Sequence, residues 1–304
     1  MASGWKRGIE IVLARSGAAA AARWANGPST VILSYHNIVP TGASAVGDRS
    51  LHIDQAAFGA HLDLLQTQGD VVGLSSLSAP AASRSRRPRI VITFDDAYRG
   101  TMTAGVDELE RRGLPGTVFV PPGLLGSTGF WWDLLTPIGA DGLDPHFRDR
   151  ALNELEGRGD KVMAEAGANG LPIAALPSHA VAVEESELLD GGVYDGVTFA
   201  AHTWSHANLS ALSREDARNE MQQSQNWLAS RSDRYVDWFS YPYGLFSPSV
   251  VEDASMFEGA LRVDGGLAER RGAANGPPNR IPRVNVPRGL SLEGLALRIA
   301  GVLS

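Results

Sequence analysis

The sequence predicts an α/β protein built on a parallel sheet, and three observations carry that expectation. Short apolar runs rich in β-branched residues recur along the chain, most are followed by a stretch of helical periodicity, and residues with chemistry to offer stand where the runs stop. At 304 residues the chain can bury a sizeable core, as one large barrel or as two smaller domains.

The elements follow in order. Residues 31–36 form an apolar strand ending in His36, and 54–68 are amphipathic. Arg89-Ile90-Val91-Ile92-Thr93-Phe94 has the composition of a strand buried on both faces and runs into Asp95 and Asp96. A helical pattern then reaches Arg112, with Gly113 as its stop, and 116–120 are a third strand. From 123 to 196 the pattern lapses. That is too long for a connecting loop, so this insertion is expected to carry its own helices, near 147–156 and 184–189, and to cap the mouth of the site. Strand 197–201 ends in His202. Ser213 opens a helix toward Ser230 with a capping-box-like start, Asp216 standing where Glu or Gln is usual. A strand from Trp238 to Tyr241 follows, then Ser247-Pro248 as cap and first helical residue. Strands at 259–263 and 281–286 and a helix opened by Ser291 complete the series.

Two adjacent carboxylates at a strand end can divide labour, one binding a cation while the other takes a proton from a water. The same Asp95-Asp96 pair would also serve as a plain helix N-cap. His202 and His206 stand four residues apart, a spacing that one helical turn brings onto a single face. With one aspartate they make a two-His, one-carboxylate set with open positions. In parallel βα barrels the chemistry gathers at the C-terminal strand ends, and His36, Asp95, Asp96, His202, Tyr243 and Arg283 all fall at or near such ends.

Thr93-Phe94-Asp95-Asp96-Ala97 resembles the first motif, TFDDG, of the NodB-homology polysaccharide deacetylases, carbohydrate esterase family four. His202-Thr203-Trp204-Ser205-His206 is similar to the second, H(S/T)xxH, and Phe239-Ser240-Tyr241-Pro242-Tyr243-Gly244 to the third. The resemblance runs from about Val31 to Val286 with a divergent middle. It implies a distorted (β/α)7 barrel with a helical insertion at 123–196. It also implies a divalent metal, usually zinc, on Asp96, His202 and His206, with Asp95 as general base and the Tyr243 backbone N–H as an oxyanion donor. Two departures stand out. The usual third-motif arginine, partner of the base, falls at Ser240, and no histidine follows His206 to supply the usual C-terminal acid. A subgroup resembling poly-N-acetylglucosamine deacetylases carries the acid histidine in a YH dipeptide on its first strand. Tyr35-His36 matches it, which makes His36 the candidate acid. Arg283 could replace the cation missing at 240, or form a surface ion pair as most arginines do. Trp131, Trp132 and Tyr241 are candidate substrate-binding aromatics, and anchoring of the insertion is the other reading of the tryptophans. His146 and His179, as lone histidines, are expected to face solvent.

No cysteine occurs, which excludes disulfides, thiolate metal sites and thiol nucleophiles. The formal net charge is −7 and the basic clusters, Arg84-Ser85-Arg86-Arg87 and Arg270-Arg271, are short, so nucleic acid is not an expected partner. Residues 1–30 read as a lead-in to a deacetylase barrel over 31–304, with Trp5, Ile9, Val12 and Leu13 on one helical face that packs on the barrel or lies on a membrane surface. Glu10 and Arg15 interrupt its apolar run, so neither a signal peptide nor a membrane span is expected, and a cytoplasmic location, with peripheral membrane contact left open, is. The expected function is metal-dependent removal of N-acetyl groups from amino sugars of a polysaccharide, oligosaccharide or glycan precursor. The alternatives are a barrel amidohydrolase acting on a formamide, cyclic imide or ureido compound, an O-acetyl esterase, and a non-catalytic glycan-binding module. Oligomeric state is left open.

Overall fold

The computed structural model describes residues 10, 12, 13, 16–27, 29–78, 87–190, 192–270, 273, 274 and 276–303. The strands are β1 Thr30–Tyr35, β2 Asn37–Val39, β3 His52–Asp54, β4 Asp70–Val71, β5 Arg89–Phe94, β6 Gly116–Val120, β7 Val197–Ala201, β8 Tyr235–Ser240, β9 Gly259–Arg262, β10 Glu269–Arg270, β11 Ala273–Ala274, β12 Ile281–Pro282 and β13 Val284–Asn285. β1, β5, β6, β7, β8 and β9 lie side by side in parallel. The last segment closes the ring: β12 pairs with β9 and β13 with β1, both in parallel, so 281–285 serves one neighbour with its first half and the other with its second. Arg283 sits at the change-over. Taken as one interrupted strand this segment is the seventh, and the expected distorted (β/α)7 barrel is what forms; its two halves counted separately make eight parallel strands.

Strand periodicity sorts the side chains. Leu33, Tyr35, Ile90, Ile92, Phe94, Val118, Val120, Phe199 and Phe239 belong to one core cluster with the helix residues Phe58, Leu62, Leu65, Leu109, Met221 and Leu228. Their alternates, Ile32, Val91, Phe119, Ala200, Trp238 and Leu261, form a separate cluster that fills the barrel. Because the period is two, continuing along that inner face leads from Ile32 to Ser34 and His36, from Val91 to Thr93 and Asp95, from Ala200 to His202, and from Trp238 to Ser240. The barrel is thus apolar at its base and polar at the C-terminal ends of its strands.

Local signals explain the helices. Ser213 caps helix Arg214–Arg231 by accepting the N–H of Asp216, and Ala217, Met221, Ser224 and Leu228 make its buried stripe. Ser247 caps Pro248–Asp253 and Ser291 caps Leu292–Ile299. The insertion carries Trp131–Leu134, Pro145–Asn153, Gly159–Ala168 and Glu185–Leu188. The third of these has little sequence signature: it is built of small and charged residues and buries only Val162 and Ala166. The alanine-rich helix Ala18–Asn26 and the two- and three-residue strands β2, β3 and β4 likewise offer too few alternating residues to show a period. Trp5, Ile9, Arg84 and Arg271 lie outside the described residues. Of the apolar face read near the N-terminus, Leu13 packs toward Ala19, Leu297 and Ala300, whereas Val12 is exposed. Among the described residues no helix is long and apolar enough to cross a membrane.

Gly100, just after the Asp95-Asp96 loop, lies against β2, and a Cβ there would collide with the Ile38 carbonyl and the Asn37 amide oxygen. Gly100→Ala is therefore expected to destabilise the fold by about 1–3 kcal/mol. A urea unfolding midpoint equal to that of the wild type would contradict this close approach.

Candidate active site

A cavity of about 230 Å³ opens at the polar end of the barrel, with His36, Asp95, Asp96, Trp132, His202, His206, Tyr241 and Tyr243 among its lining residues. Inner-face alternation also accounts for Val263 and Asn285, two positions beyond Leu261 and Arg283, which line it too. The chain therefore brings into one cavity side chains separated by more than two hundred positions in sequence, His36 and Tyr243 being the extremes among the predicted site residues that line it.

Asp96, His202 and His206 converge. One ligand atom from each lies within 4.8 Å of the others, and all three residues are buried. Nε2 of His206 is 3.0 Å from Asp96 Oδ1 and 3.1 Å from Nε2 of His202. Two such nitrogens cannot both direct protons at each other, and Asp96 Oδ1 is a buried oxygen that no well-aligned hydrogen bond reaches. Convergent lone pairs on two imidazoles and a carboxylate are the donor set of a divalent cation, and the residues fit one. Nδ1 of His202 lies 2.8 Å from the Ser240 carbonyl, so it is the protonated nitrogen and Nε2 is left free to ligate. Burial pushes the His206 imidazole below its ordinary range, favouring the neutral ring that ligation needs. Burial would raise Asp96, but the His206 and His202 rings outweigh it and hold the carboxyl far below the usual range.

The histidine spacing does not work through a helical turn, as the sequence led us to expect. Residues 202–208 are a loop at the end of β7, with Thr203 and His206 at φ of 61° and 58°. Those left-handed residues fold the loop back so that the second imidazole meets the first. Asp96, Ala97 and Tyr243 share this backbone class, with φ of 74°, 55° and 57°.

Asp95 faces a different partner. Arg283 is fully buried, and its two terminal nitrogens reach Oδ1 and Oδ2 of Asp95 at 2.8 and 2.7 Å. The same guanidinium donates to Ser240 Oγ at 2.6 Å and Thr93 Oγ1 at 3.1 Å, and lies 5.3 Å from the Phe119 ring centre. Burial alone would raise the Asp95 carboxyl, but Arg283, His202 and His36 together hold it below the ordinary carboxylate value. The guanidinium thus arrives from the seventh strand onto the serine that stands where the motif has arginine. The surface ion pair is not what forms.

The aromatic residues divide. Trp132 lines the cavity, its ring 4.9 Å from that of His206, and Tyr243 stands 4.6 Å from the same imidazole. Trp131 does not line the cavity: it is buried and donates to the Gly157 carbonyl and the Tyr243 hydroxyl, each at 3.1 Å, which is the anchoring arrangement. Tyr241 lines the cavity while its hydroxyl donates to the Asn279 carbonyl at 2.7 Å. His146 is exposed, but His179 is buried, with burial lowering its basicity, because its short turn Ser178–Ala180 packs against β2. Sequence reading missed the Ser240 carbonyl, which acts through the backbone and leaves no residue-type signal. It also missed Arg148, brought to the cavity rim by helix Pro145–Asn153, and Asp133, whose carboxylate takes the Tyr98 hydroxyl at 2.7 Å and His52 Nε2 at 3.1 Å.

The sequence model of the polysaccharide deacetylase family matches residues 161–258, which hold the histidine pair and the third motif. No curated protein matches the chain significantly. Among solved structures, the fold is similar to that of the Streptococcus pyogenes deacetylase PplD in complex with acetate (TM-score 0.59, 16% identity, 90% of this chain and 99% of that one). It is also similar to IcaB from Ammonifex degensii (TM-score 0.55, 17% identity, 90% and 98%) and to the de-N-acetylase from Aggregatibacter actinomycetemcomitans (TM-score 0.56, 14% identity, 84% and 94%). Motifs, family match and fold thus point the same way: residues 161–258 are similar to the polysaccharide deacetylases, and the fold is that of solved deacetylase structures.

Removing one partner of a buried ion pair strands the other, so Arg283→Ala is expected to cost about 3–5 kcal/mol of stability. Ser240→Arg alone should also destabilise, by crowding two guanidiniums onto Asp95. The double exchange Ser240→Arg with Arg283→Ser should recover part of the loss in denaturant unfolding, and a double variant no more stable than the less stable single one would contradict the shared locus.

Proposed function

We propose that the chain is a metal-dependent N-deacetylase acting on amino sugars of a glycan, with zinc as the ion on Asp96, His202 and His206. The observation that carries this reading is the adjacency of two differently tuned carboxylates in one cavity. Asp96 points at two imidazole nitrogens, while Asp95, beside it, is locked to Arg283. A plain N-cap needs neither partner.

When bound, the cation supplies Lewis-acid polarisation of the acetamide carbonyl and lowers the pKa of the attacking water. The chain's own residues would do the rest. Asp95, kept ionised by Arg283, takes the proton of the water as it attacks. The guanidinium holds the carboxylate in one orientation. The backbone N–H of Tyr243, on a left-handed residue at the cavity wall, is the donor for the developing oxyanion. His36 lines the same cavity, close enough to Asp95 and Asp96 to lower both, and would protonate the departing nitrogen, since an unprotonated amide nitrogen is a poor leaving group. Trp132 offers an apolar ring beside His206 for the acetyl methyl or a sugar face. The products would be a free hexosamine and acetate, the ligand of the PplD complex.

Formamide, cyclic imide or ureido substrates and O-acetyl esters would use the same constellation, and a substrate panel separates them. A non-catalytic glycan-binding module would have no use for Asp95 held on Arg283, and acetate release decides against or for it.

Asp95→Asn is expected to keep its metal and lose activity by at least about 100-fold, the scale of a general base. His202→Ala should lose the metal. The pair is read by metal content together with acetate release from N-acetylglucosamine oligomers, with a chelator control. Wild-type turnover by Asp95→Asn would remove it as the base, and wild-type turnover by His36→Ala would remove His36 as the acid.

A further inference from the structure

The loop that carries the two histidines is held from outside the cavity. Left-handed backbone costs a non-glycine residue about 1–3 kcal/mol, and Thr203 and His206 both adopt it, so something must over-determine the loop between them. Glu220, on helix Arg214–Arg231, meets that need. Its Oε2 accepts the consecutive backbone N–H groups of Trp204 at 3.0 Å and Ser205 at 2.8 Å, and its Oε1 accepts the Ser205 hydroxyl at 2.7 Å. Successive N–H groups in a turn form an anion-binding concavity, filled here by a carboxylate of the chain itself. On the opposite side the Trp204 carbonyl accepts the Gly123 N–H at 2.9 Å, and a Cβ on Gly123 would sit 2.8 Å from that carbonyl. Residues 204 and 205, midway between the histidines, are therefore pinned from both sides. Glu220 is not among the residues lining the cavity.

We propose that Glu220 is a positioning residue for the divalent-cation site: by clamping Trp204 and Ser205 it sets the approach of His202 Nε2 to His206 Nε2, and with it the affinity for the ion. The inference rests on the metal reading above. Its helix is packed independently through Ala217, Met221, Ser224 and Leu228, so trimming Glu220 leaves that packing in place. Glu220→Gln is a close mimic. Both backbone N–H groups go to the same oxygen, which the amide oxygen can replace, while the amide nitrogen can donate to the Ser205 hydroxyl.

The test is zinc affinity of wild type, Glu220→Ala and Glu220→Gln by competition with a chromophoric chelator, alongside the thermal midpoint of each metal-free protein. Glu220→Ala is expected to bind zinc about 10–100-fold more weakly, the usual effect of removing a group that orients ligands, with a metal-free midpoint near that of the wild type. Glu220→Gln should recover most of the affinity. Unchanged affinity in Glu220→Ala overturns the inference alone. So does a loss of zinc that merely follows unfolding of the metal-free variant, or a Gln variant no better than Ala. Wild-type protein that binds neither zinc nor another divalent ion overturns the metal reading itself, and this inference with it.

Discussion

A guanidinium buried in the wall of a barrel has no water to answer its charge, so the protein around it must. Arg283 occupies the point where the seventh strand changes neighbours, and its donors go to Asp95 and Thr93 at the end of β5 and to Ser240 at the end of β8. Desolvating either ion of this pair alone would cost several kcal/mol, and only the bidentate geometry with the extra hydroxyl acceptors offsets it. The same contact closes the barrel seam and keeps Asp95 ionised. Stability and chemistry therefore share one interaction, and the neighbouring Asp96 is left free to serve the imidazoles.

Backbone strain follows the same map. All six non-glycine residues with positive φ among the described residues lie in or beside this site: Asp96, Ala97, Thr203, His206, Tyr243 and Glu156. Glu156 precedes Gly157, whose carbonyl receives Trp131 and Tyr243, and its own carbonyl accepts the Asn208 N–H at 2.7 Å. Strained residues persist where the surroundings over-determine them. Here the determinants can be named: Glu220 and Gly123 on the histidine loop, Trp131 and Gly157 on Tyr243. The insertion thus buttresses the third-motif tyrosine as well as bordering the cavity.

The strand ends were legible in the sequence because their residues alternate. Once Ile32, Val91 and Ala200 face inward, His36, Asp95 and His202 must follow them, and the family motifs identify the same positions. Arg283 was legible only as a candidate, since nothing in a linear reading shows that residues 188 positions apart share a hydrogen bond. The histidine loop was misread as a helical turn because left-handed backbone is announced most strongly by glycine, whereas Thr203 is β-branched and His206 carries only a weak preference for it. Glu220 lies in an otherwise ordinary polar helix face, and the Ser240 carbonyl belongs to the backbone. Neither carries a signal that residue type could show. His179 was assigned to solvent because the packing of its turn, Ser178–Ala180, against β2 is a contact distant in sequence that a lone histidine does not announce.

The central claim is that one divalent cation sits among Asp96, His202 and His206. Anomalous diffraction at the zinc edge from crystals of the protein grown with zinc tests it most directly. The account predicts a peak at about 2.0–2.2 Å from a carboxylate oxygen of Asp96 and from Nε2 of both histidines. A cavity without a peak at full zinc loading elsewhere, or a peak bound by Asp95 in place of Asp96, would contradict it.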